Sequence, residues 1–311
     1  MAASTISVNE LQEVAVQEKS AQPDLLDFKV PHSYVDIGHS QLAYWSIGQG
    51  PNLVLVHGWP LHSATYRNLL PYLSQHYTCH LFDLPGAGMT KTGEHAPFGI
   101  RAHGESLLKG IKAKGIEQYS LLGHDSGAAI MQFSASMDAE NVVSMIMGDT
   151  ETPGYHSKLM SLLILVSKIS FAPNLLFKSL RFKTVRYSNV GLGSCFTDPK
   201  YMEGDFGDLF VKPLLESTEV RGWQSKLLQN FNEEDIRQLI QIQKTNTIPV
   251  QLLWGSADQF FLLEDAKKMQ RRFKGESELH VFEGGKLFIH EDHAERFADH
   301  TLAFLARHQP A

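Results

Sequence analysis

Short apolar runs alternate along this chain with longer segments in which apolar residues recur at helical spacing. The short runs are typical of buried strands, and the longer segments are typical of amphipathic helices. The predicted strands are Tyr34–Ile37 and Leu42–Ile47 (a hairpin around Gly38 and His39), Leu53–Val56, His80–Asp83, Tyr119–Leu122, Val142–Met147, Val250–Trp254 and Leu279–Phe282. The predicted helices are Ala64–Ser74, Ile100–Lys114, Gly127–Met137, Leu263–Phe273 and Asp292–Ala306. This alternation predicts an α/β fold, with helices on both faces of a mostly parallel sheet.

The alternation stops in one long stretch, residues 151–247, which has helical segments but no convincing buried strand. Pro153 lies near its beginning, and Pro249 marks the return to the sheet. We therefore predict a core made of residues 31–150 and 248–311. The stretch between them is expected to form a helical lid, inserted on the side where the strands end.

The first 30 residues, 1–30, are polar and lack the apolar stretch of a secretory signal. They predict a loosely ordered arm on a cytoplasmic protein. The net charge of −6, without a run of Lys or Arg, argues against nucleic acid or an anionic membrane as a partner. The apolar run Leu159–Val166 ends before Lys168 and is too short to span a bilayer. It predicts a buried helix of the lid.

The composition sets few further limits. The chain is 43% hydrophobic and 20% charged, which is ordinary for a soluble globular protein. The two cysteines, Cys79 and Cys195, form neither a disulfide framework nor a metal-ligand spacing. Cys79 lies in an apolar run and is expected to be an inert core thiol. Nothing in the sequence indicates a metal or defines an oligomeric state.

The segment Gly123–Gly127, Gly-His-Asp-Ser-Gly, lies between a predicted strand and a predicted helix. This is the pattern of a nucleophile elbow, a tight turn that raises its central residue above the sheet at the start of a helix. The helix N-terminus there favours an anion. Asp125 is central and is the predicted nucleophile. A serine nucleophile at Ser126 would be out of register.

A second motif, His57–Pro60, follows the predicted strand Leu53–Val56. The loop after this strand and the residue after the nucleophile supply the two N–H groups of an oxyanion hole in such folds. The predicted donors are Trp59 and Ser126. The indole of Trp59 is expected to line the pocket or to pack in the core, and His57 is a further candidate at the pocket.

Two acids follow late strands and could orient a catalytic histidine by accepting its Nδ1–H. Asp258 lies in Trp254–Asp258 at the end of one strand, and Asp149 follows the strand Val142–Met147. The order nucleophile, acid, histidine favours Asp258. Asp149 remains the alternative acid.

Taken together, these motifs resemble the haloalkane dehalogenase and epoxide hydrolase branch of the α/β-hydrolase fold family. The resemblance covers about residues 34–305 and is weakest in the lid. It implies an α/β-hydrolase fold and a two-step reaction without cofactor or metal. The aspartate carboxylate forms an alkyl ester with the substrate, and a histidine then activates water to hydrolyse it. The motifs are His57-Gly58-Trp59-Pro60, Asp83-Leu84-Pro85-Gly86-Ala87-Gly88, Gly123-His124-Asp125-Ser126-Gly127 and Trp254-Gly255-Ser256-Ala257-Asp258.

The sequence departs from this branch at the halide-binding positions. Ser126 stands where haloalkane dehalogenases often have Trp and haloacetate dehalogenases tend to have Arg. Trp59 stands where many haloalkane dehalogenases have Asn, and the aromatic residue favours the epoxide side. Epoxide hydrolases tend to protonate the opening ring with two lid tyrosines. The lid offers Tyr155, Tyr187 and Tyr201.

The histidine motif departs further. The family pattern Gly-His-Phe, followed by a Glu-Asp pair, aligns Leu287 with the histidine position. His290 lies three residues later, which is one helical turn. Our interpretation is that a shifted loop brings His290 to the site as the base. A site without a base, or with His280 or His293 in that role, remains open.

The sequence therefore predicts a hydrolase with an aspartate nucleophile, related to epoxide hydrolases or haloalkane dehalogenases. The apolar lid favours a small apolar organic substrate, with water as the second reactant. Another ester-forming or lactone-processing activity on this scaffold is a rival. The alternative from another functional class is a homologue that has lost turnover and acts as a ligand-binding or regulatory protein.

Overall fold

A computed structural model describes residues 26–154, 158–169 and 171–309 of the chain. Most of the predicted arm and the candidate Tyr155 lie outside the described residues. The strands are β1 Ser33–Asp36, β2 Ser40–Ile47, β3 Asn52–Val56, β4 Thr78–Phe82, β5 Lys91–Thr92, β6 Tyr119–His124, β7 Val142–Gly148, β8 Val250–Gly255 and β9 Ser277–Phe282. All eight predicted strands are present, and the two-residue β5 is an additional strand.

The strands form one sheet in the order β1-β2-β4-β3-β6-β7-β8-β9, with β5 paired to β2. The pairs that involve β2 are antiparallel, and those from β4 to β9 are parallel. Strands β3, β6, β7 and β8 lie next to one another, so their carboxyl ends meet at one edge of the sheet. The predicted α/β class with a mostly parallel sheet is confirmed.

Twelve α-helices occur in the described residues. They are α1 Leu70–Leu73, α2 Ile100–Ala113, α3 Ser126–Met137, α4 Lys158–Ser167, α5 Ala172–Ser179, α6 Lys183–Arg186, α7 Lys212–Glu216, α8 Thr218–Gln229, α9 Glu233–Thr245, α10 Leu263–Gln270, α11 Ile289–Asp292 and α12 Ala294–Arg307. The predicted helix Ala64–Ser74 is instead a 3₁₀ turn, Ser63–Tyr66, followed by the short α1. Pro71 at the start of α1 suits the first turn of a new helix.

Between β7 and β8 the described residues carry helices α4 to α9 and no strand. Helices α4 and α5 pack side by side and both contact α8. The insertion meets the core near the strand ends, where the Trp59 indole Nε1 donates to the Gln224 carbonyl oxygen at 3.1 Å. No helix in the described part of the chain is long and apolar enough to cross a membrane.

Candidate active site

A sharp turn between β6 and α3 holds Asp125 at the centre of the candidate site. Its φ is 54°, a left-handed conformation that is strained for a residue with a Cβ. A Cβ on Gly123 would lie 2.8 Å from the Ala128 Cα, and one on Gly127 would lie 2.1 Å from the Val56 carbonyl oxygen. The close approach of these backbones requires both glycines. The tight turn therefore raises Asp125 above the sheet.

Backbone donors hold the Asp125 carboxylate. The Trp59 N–H donates to Oδ2 at 2.9 Å, and the Ser126 hydroxyl lies 3.3 Å from the same oxygen. The Ser126 N–H also favours the charged form of the carboxylate. If an ester forms through the other oxygen, Oδ2 becomes its carbonyl oxygen and already faces the donors of an oxyanion hole.

Two adjoining cavities, the second larger than the first, share Asp125, Trp59 and Met160 as lining residues. The first also has Glu151 in its wall, between the core and the insertion. The second is lined mainly by apolar residues of the insertion and by Leu287. A small apolar molecule bound in either cavity would lie against the Asp125 carboxyl group.

Glu151 is a site residue that the sequence analysis assigned only to the start of the lid. It is buried, and the Thr150 Oγ1 lies 3.0 Å from its Oε2 and 2.8 Å from the Asp125 carbonyl oxygen. One hydroxyl hydrogen cannot serve both acceptors. A protonated Glu151 resolves this, because it donates to Thr150, which then donates to the carbonyl of Asp125.

Burial and charge raise the pKa values of both groups. Burial raises the pKa of Asp125 to about 7. Burial, together with the nearby Asp125 charge, raises the pKa of Glu151 to about 8. Because the groups interact, they release their protons in two steps that belong to the pair. Near neutral pH the favoured state has one negative charge, on Asp125, and one proton, on Glu151.

The two predicted acids face each other. Asp149 Oδ1 accepts from the Gly255 N–H at 2.9 Å, and Asp258 Oδ1 accepts from the Phe260 N–H at 2.7 Å. Their Oδ2 atoms are buried, with no donor among the described residues. The carboxyl groups lie within hydrogen-bonding reach of each other, so one shared proton satisfies both. Burial raises the pKa of Asp149 well above its ordinary value, which makes Asp149 the donor.

His290 lies in the core and not at the cavities. Its Nε2 is 2.7 Å from the Thr65 Oγ1, and its ring centroid is 4.0 Å from that of His124. The short helix α11 turns the imidazole toward Thr65, while Leu287 reaches the larger cavity from the preceding loop. The expectation that a shifted loop brings His290 to Asp125 is therefore corrected. Burial also lowers the pKa of His290, so its ring stays neutral.

The other candidate histidines do not replace it. His57 accepts from the Leu84 N–H at Nε2 and contacts the Gly58 carbonyl at Nδ1, and burial lowers its pKa to about 4. His280 contacts Glu278 on β9, and His293 lies between α11 and α12. Neither His280 nor His293 lines the two cavities. His57 is instead a buried structural residue that binds the backbone of the loop after β4.

His103 does line the smaller cavity, but both of its ring nitrogens already face backbone carbonyl oxygens. Nδ1 lies 2.8 Å from the carbonyl oxygen of Gly99, and Nε2 lies 3.0 Å from that of Pro85. The ring therefore presents no lone pair to the cavity. His103 is not a candidate base.

The lid tyrosines within the described residues do not line the cavities either. Tyr201 donates to Glu291 Oε2 at 3.0 Å and accepts from the Asn68 amide at 2.7 Å. Tyr187 lies beside the ion pair of Lys183 and Glu203. Glu151 thus provides the second carboxyl group, beside that of Asp125, that lines the smaller cavity. The signal for Glu151 in the sequence is its place three residues after β7, at the strand-end edge.

Within the described residues no group of three or more His, Cys, Asp or Glu side chains could hold a metal ion. The thiol of Cys195 lines the larger cavity, and burial raises its pKa well above its ordinary value. Burial likewise raises the pKa of Cys79 to about 12. Neither thiol has the lowered pKa of a reactive nucleophile.

The paired acids make a testable prediction about stability. Burial raises the pKa of Asp258 to about 7, so its contribution to stability is present below about pH 4 and is lost as the pH rises through about 7. Asp258→Asn cannot ionise and keeps an acceptor for Asp149. Between pH 5 and pH 8 the free energy of unfolding should fall less in the variant, by on the order of 2 kcal/mol. Chemical denaturation at both pH values measures this.

The exposed Asp299 on α12 provides the control, because Asp299→Asn should leave the pH dependence unchanged. An equal pH dependence in Asp258→Asn and the unchanged protein would contradict the pairing with Asp149.

Known proteins resemble the chain in sequence and in structure. The family model described as "alpha/beta hydrolase fold" matches residues 51–294. An uncharacterized protein of Mycobacterium tuberculosis is 23% identical over 302 residues, which cover 94% of this chain and 84% of that protein. The structure of the epoxide hydrolase CorEH superposes with a TM-score of 0.76 and 22% identity, over 89% of this chain and 98% of that one. An ancestral haloalkane dehalogenase superposes with a TM-score of 0.75 and 18% identity, over 88% and 98%.

Proposed function

This chain belongs to the alpha/beta hydrolase fold family, and we propose that it is a hydrolase in which the Asp125 carboxylate forms an alkyl ester with a small apolar epoxide or alkyl halide. One observation carries the proposal. A buried carboxylate lies on a strained elbow at the floor of apolar cavities, with one oxygen already bound by the Trp59 N–H. An aspartate in the position of a nucleophile attacks carbon and forms a covalent intermediate.

In the first step, the free oxygen of Asp125 attacks a carbon of the epoxide and the carbon–oxygen bond of the ring breaks. The ring oxygen takes the proton of Glu151, which leaves Glu151 as a carboxylate. An alkyl halide needs no proton in this step, because halide leaves as an anion; Glu151 then releases its proton to the solvent, so that it is a carboxylate before the second step. The Trp59 and Ser126 N–H groups then face the carbonyl oxygen of the new ester.

In the second step, the Glu151 carboxylate takes a proton from water, and the resulting hydroxide attacks the ester carbon of Asp125. The tetrahedral oxyanion is stabilised by the Trp59 and Ser126 N–H groups. When it collapses, the departing alkoxide takes the proton of the carboxylic acid formed at Asp125. Asp125 is again ionised, Glu151 is again protonated, and the alcohol or diol leaves.

The lining of the cavities supports a small apolar substrate. Their walls are largely apolar, and Asp125 and Glu151 are the carboxyl groups that line them. A charged substrate would lose its hydration without gaining a partner. The residues from the insertion that line the larger cavity are Met160, Leu163, Leu176, Phe177, Leu180, Val190, Gly191, Leu192, Cys195 and Leu214.

A panel of small epoxides and bromoalkanes, followed by intact-protein mass spectrometry and product analysis, tests the proposal. We expect a mass increase equal to the whole epoxide, or to the alkyl group of the halide, together with release of diol or alcohol. An unchanged mass and no product across the panel would contradict it.

A second candidate function rests on Leu287. In the described residues no imidazole with a free nitrogen lines the cavities beside Asp125. If Glu151 does not activate water, the ester accumulates and the protein acts as a covalent receptor. A stable adduct without product in the same mass experiment would favour this function.

Position 287, which aligns with the histidine of the family pattern, allows a rescue experiment. Leu287 is buried and lines the larger cavity with Asp125. Leu287→His adds an imidazole near the substrate, and a positioned base is typically worth ~10²–10⁴-fold. In a Glu151→Gln background, we expect Leu287→His to raise steady-state turnover at least about tenfold. Leu287→Asn, which is polar but not basic, is the matched control and should give no rescue.

The rescue is measured as product release after the adduct has formed. Equal rates for the His and Asn variants, in protein with the same unfolding transition, would show that position 287 cannot present a base to this ester.

A further inference from the structure

The outer surface of the insertion is unusually apolar. Leu165, Phe171 and Leu175 are 67%, 69% and 63% exposed. Seven of the twelve exposed large hydrophobic residues within the described ranges lie in residues 162–190. Six of them form what we call the outer lid face, namely Leu162, Leu165, Ile169, Phe171, Leu175 and Phe182, whereas Val190 also lines the larger cavity. The expectation that the run Leu159–Val166 forms a buried helix is corrected, because α4 turns two of its leucines to the solvent.

The same stretch has one sign of charge. Residues 152–197 contain six Lys and Arg residues and no Asp or Glu. The rest of the chain contains 22 Lys and Arg against 34 Asp and Glu. The chain therefore contains a cationic segment, although its net charge is −6. A basic, apolar helical surface is the pattern of a segment that lies on an anionic membrane surface.

One cation of this segment lies beside an exposed aromatic ring. The Arg181 guanidinium is 4.5 Å from the ring centroid of Phe182, which is 51% exposed, whereas Lys183 pairs with Glu203 beside the half-buried Tyr187. Long cationic side chains keep their heads near phosphate while their apolar stems and neighbouring rings enter the interface. This arrangement combines the two contacts that hold a peripheral protein on a lipid surface.

The helices of the outer lid face also line the cavity. Leu163 of α4 and Leu176 of α5 line the larger cavity, whereas Leu162 and Leu175, their neighbours in sequence, are exposed. Helices that are apolar on both sides are ordinarily buried or in contact with lipid. The inner side here contacts the cavity, and the outer side has no covering element among the described residues.

Charge decides between the possible occupants. A second copy in a two-fold contact would bring the same patch against itself, and so would place the exposed Lys168, Lys178 and Arg181 of one copy against those of the other. An anionic lipid surface neutralises them. We propose that the outer lid face binds an anionic lipid surface and places the mouth of the cavity at the bilayer, which dissolves apolar substrates. This inference is independent of the chemistry at Asp125.

Co-sedimentation of the full chain with vesicles tests it. The vesicles contain phosphatidylcholine alone or an equal mixture with phosphatidylglycerol. We expect binding to the mixed vesicles at low salt, and loss of binding at high salt or with phosphatidylcholine alone. Lys178→Glu with Arg181→Glu should weaken binding roughly tenfold or more, because each basic residue near an anionic surface contributes to it. Phe171→Ser with Leu175→Ser should weaken it similarly.

Matched controls change the same chemistry elsewhere. Arg271→Glu with Lys274→Glu reverses two exposed charges near α10, and Met137→Ser removes an exposed apolar side chain at the end of α3. Both should bind like the unchanged protein. The proposal is overturned if the unchanged protein ignores the mixed vesicles at low salt. It is also overturned if both lid variants bind normally, or if sedimentation reveals a dimer that only the Phe171 and Leu175 variant dissolves while vesicles are ignored.

Discussion

Asp125→Ala is expected to abolish both the covalent adduct and product release. The substitution removes the nucleophilic oxygen and the acceptor of the Trp59 N–H. The remaining cavity has no carboxylate at the elbow, and losing a catalytic nucleophile typically costs several orders of magnitude in rate. The measurement is intact mass and product formation with an epoxide or bromoalkane that labels the unchanged protein. The burial of Asp125 predicts that the variant stays folded, since a buried carboxylate is costly.

Asp125→Asn is the closer match in shape and retains the acceptor for Trp59. It should also be inactive, and any slow recovery through conversion of Asn to Asp would appear as a delayed adduct. Ser126→Ala is the control for a nucleophile out of register, and it should still form the adduct. An adduct of unchanged yield in Asp125→Ala would rule out Asp125 as the nucleophile.

Glu151→Gln is expected to reduce steady-state turnover by ~10²–10⁴-fold, because the amide can neither donate the proton to the ring oxygen nor accept one from water. The two substrate classes separate these roles. With a bromoalkane, adduct formation should stay near the original rate while ester hydrolysis stops, so the adduct accumulates. With an epoxide, adduct formation should also slow.

The pH profile provides the second measurement. Opening of an epoxide requires ionised Asp125 and protonated Glu151, whose pKa values are raised to about 7 and about 8. The rate of adduct formation should therefore rise and then fall with pH, with its maximum between those values. Glu151→Gln should lose the alkaline fall, while a bromoalkane should never display it. Glu151→Asp keeps a carboxyl group and should recover part of the turnover.

These outcomes separate the two hypotheses. Unchanged hydrolysis in Glu151→Gln, with adduct formation that still requires Asp125, would contradict only the role of Glu151. Loss of the adduct with bromoalkanes in Glu151→Gln would indicate a disrupted cavity, which the unfolding transition of the variant would reveal.

The sequence by itself determined the order of eight of the nine strands and of most helices of the core, and the turn at Asp125. These features depend on local patterns: apolar runs, helical spacing, and glycines where two backbones approach within van der Waals contact. The same patterns carry the family motifs, so the fold family was also predictable, and the family match confirms it. Asp149 and Asp258 were found because acids at the ends of neighbouring parallel strands converge at one edge of the sheet.

Only the tertiary structure decided what these groups meet. Asp149 and Asp258 meet each other, and Leu287, not a histidine, reaches the cavity from the loop before α11. His290 turns to Thr65, since a short helix rotates successive side chains by about 100° and packing selects the direction. The direction of a side chain in a short helix follows from distant contacts, which a local pattern does not contain.

The same reason applies to Glu151 and to the outer lid face. Glu151 became part of the site because the insertion folds back over the strand ends and closes a cavity around its carboxyl group. The leucines of α4 have a spacing that fits a buried helix, but the packing of α4 against α5 and α8 leaves one side uncovered. Apolar residues favour burial, but the arrangement of the helices decides which of them are buried.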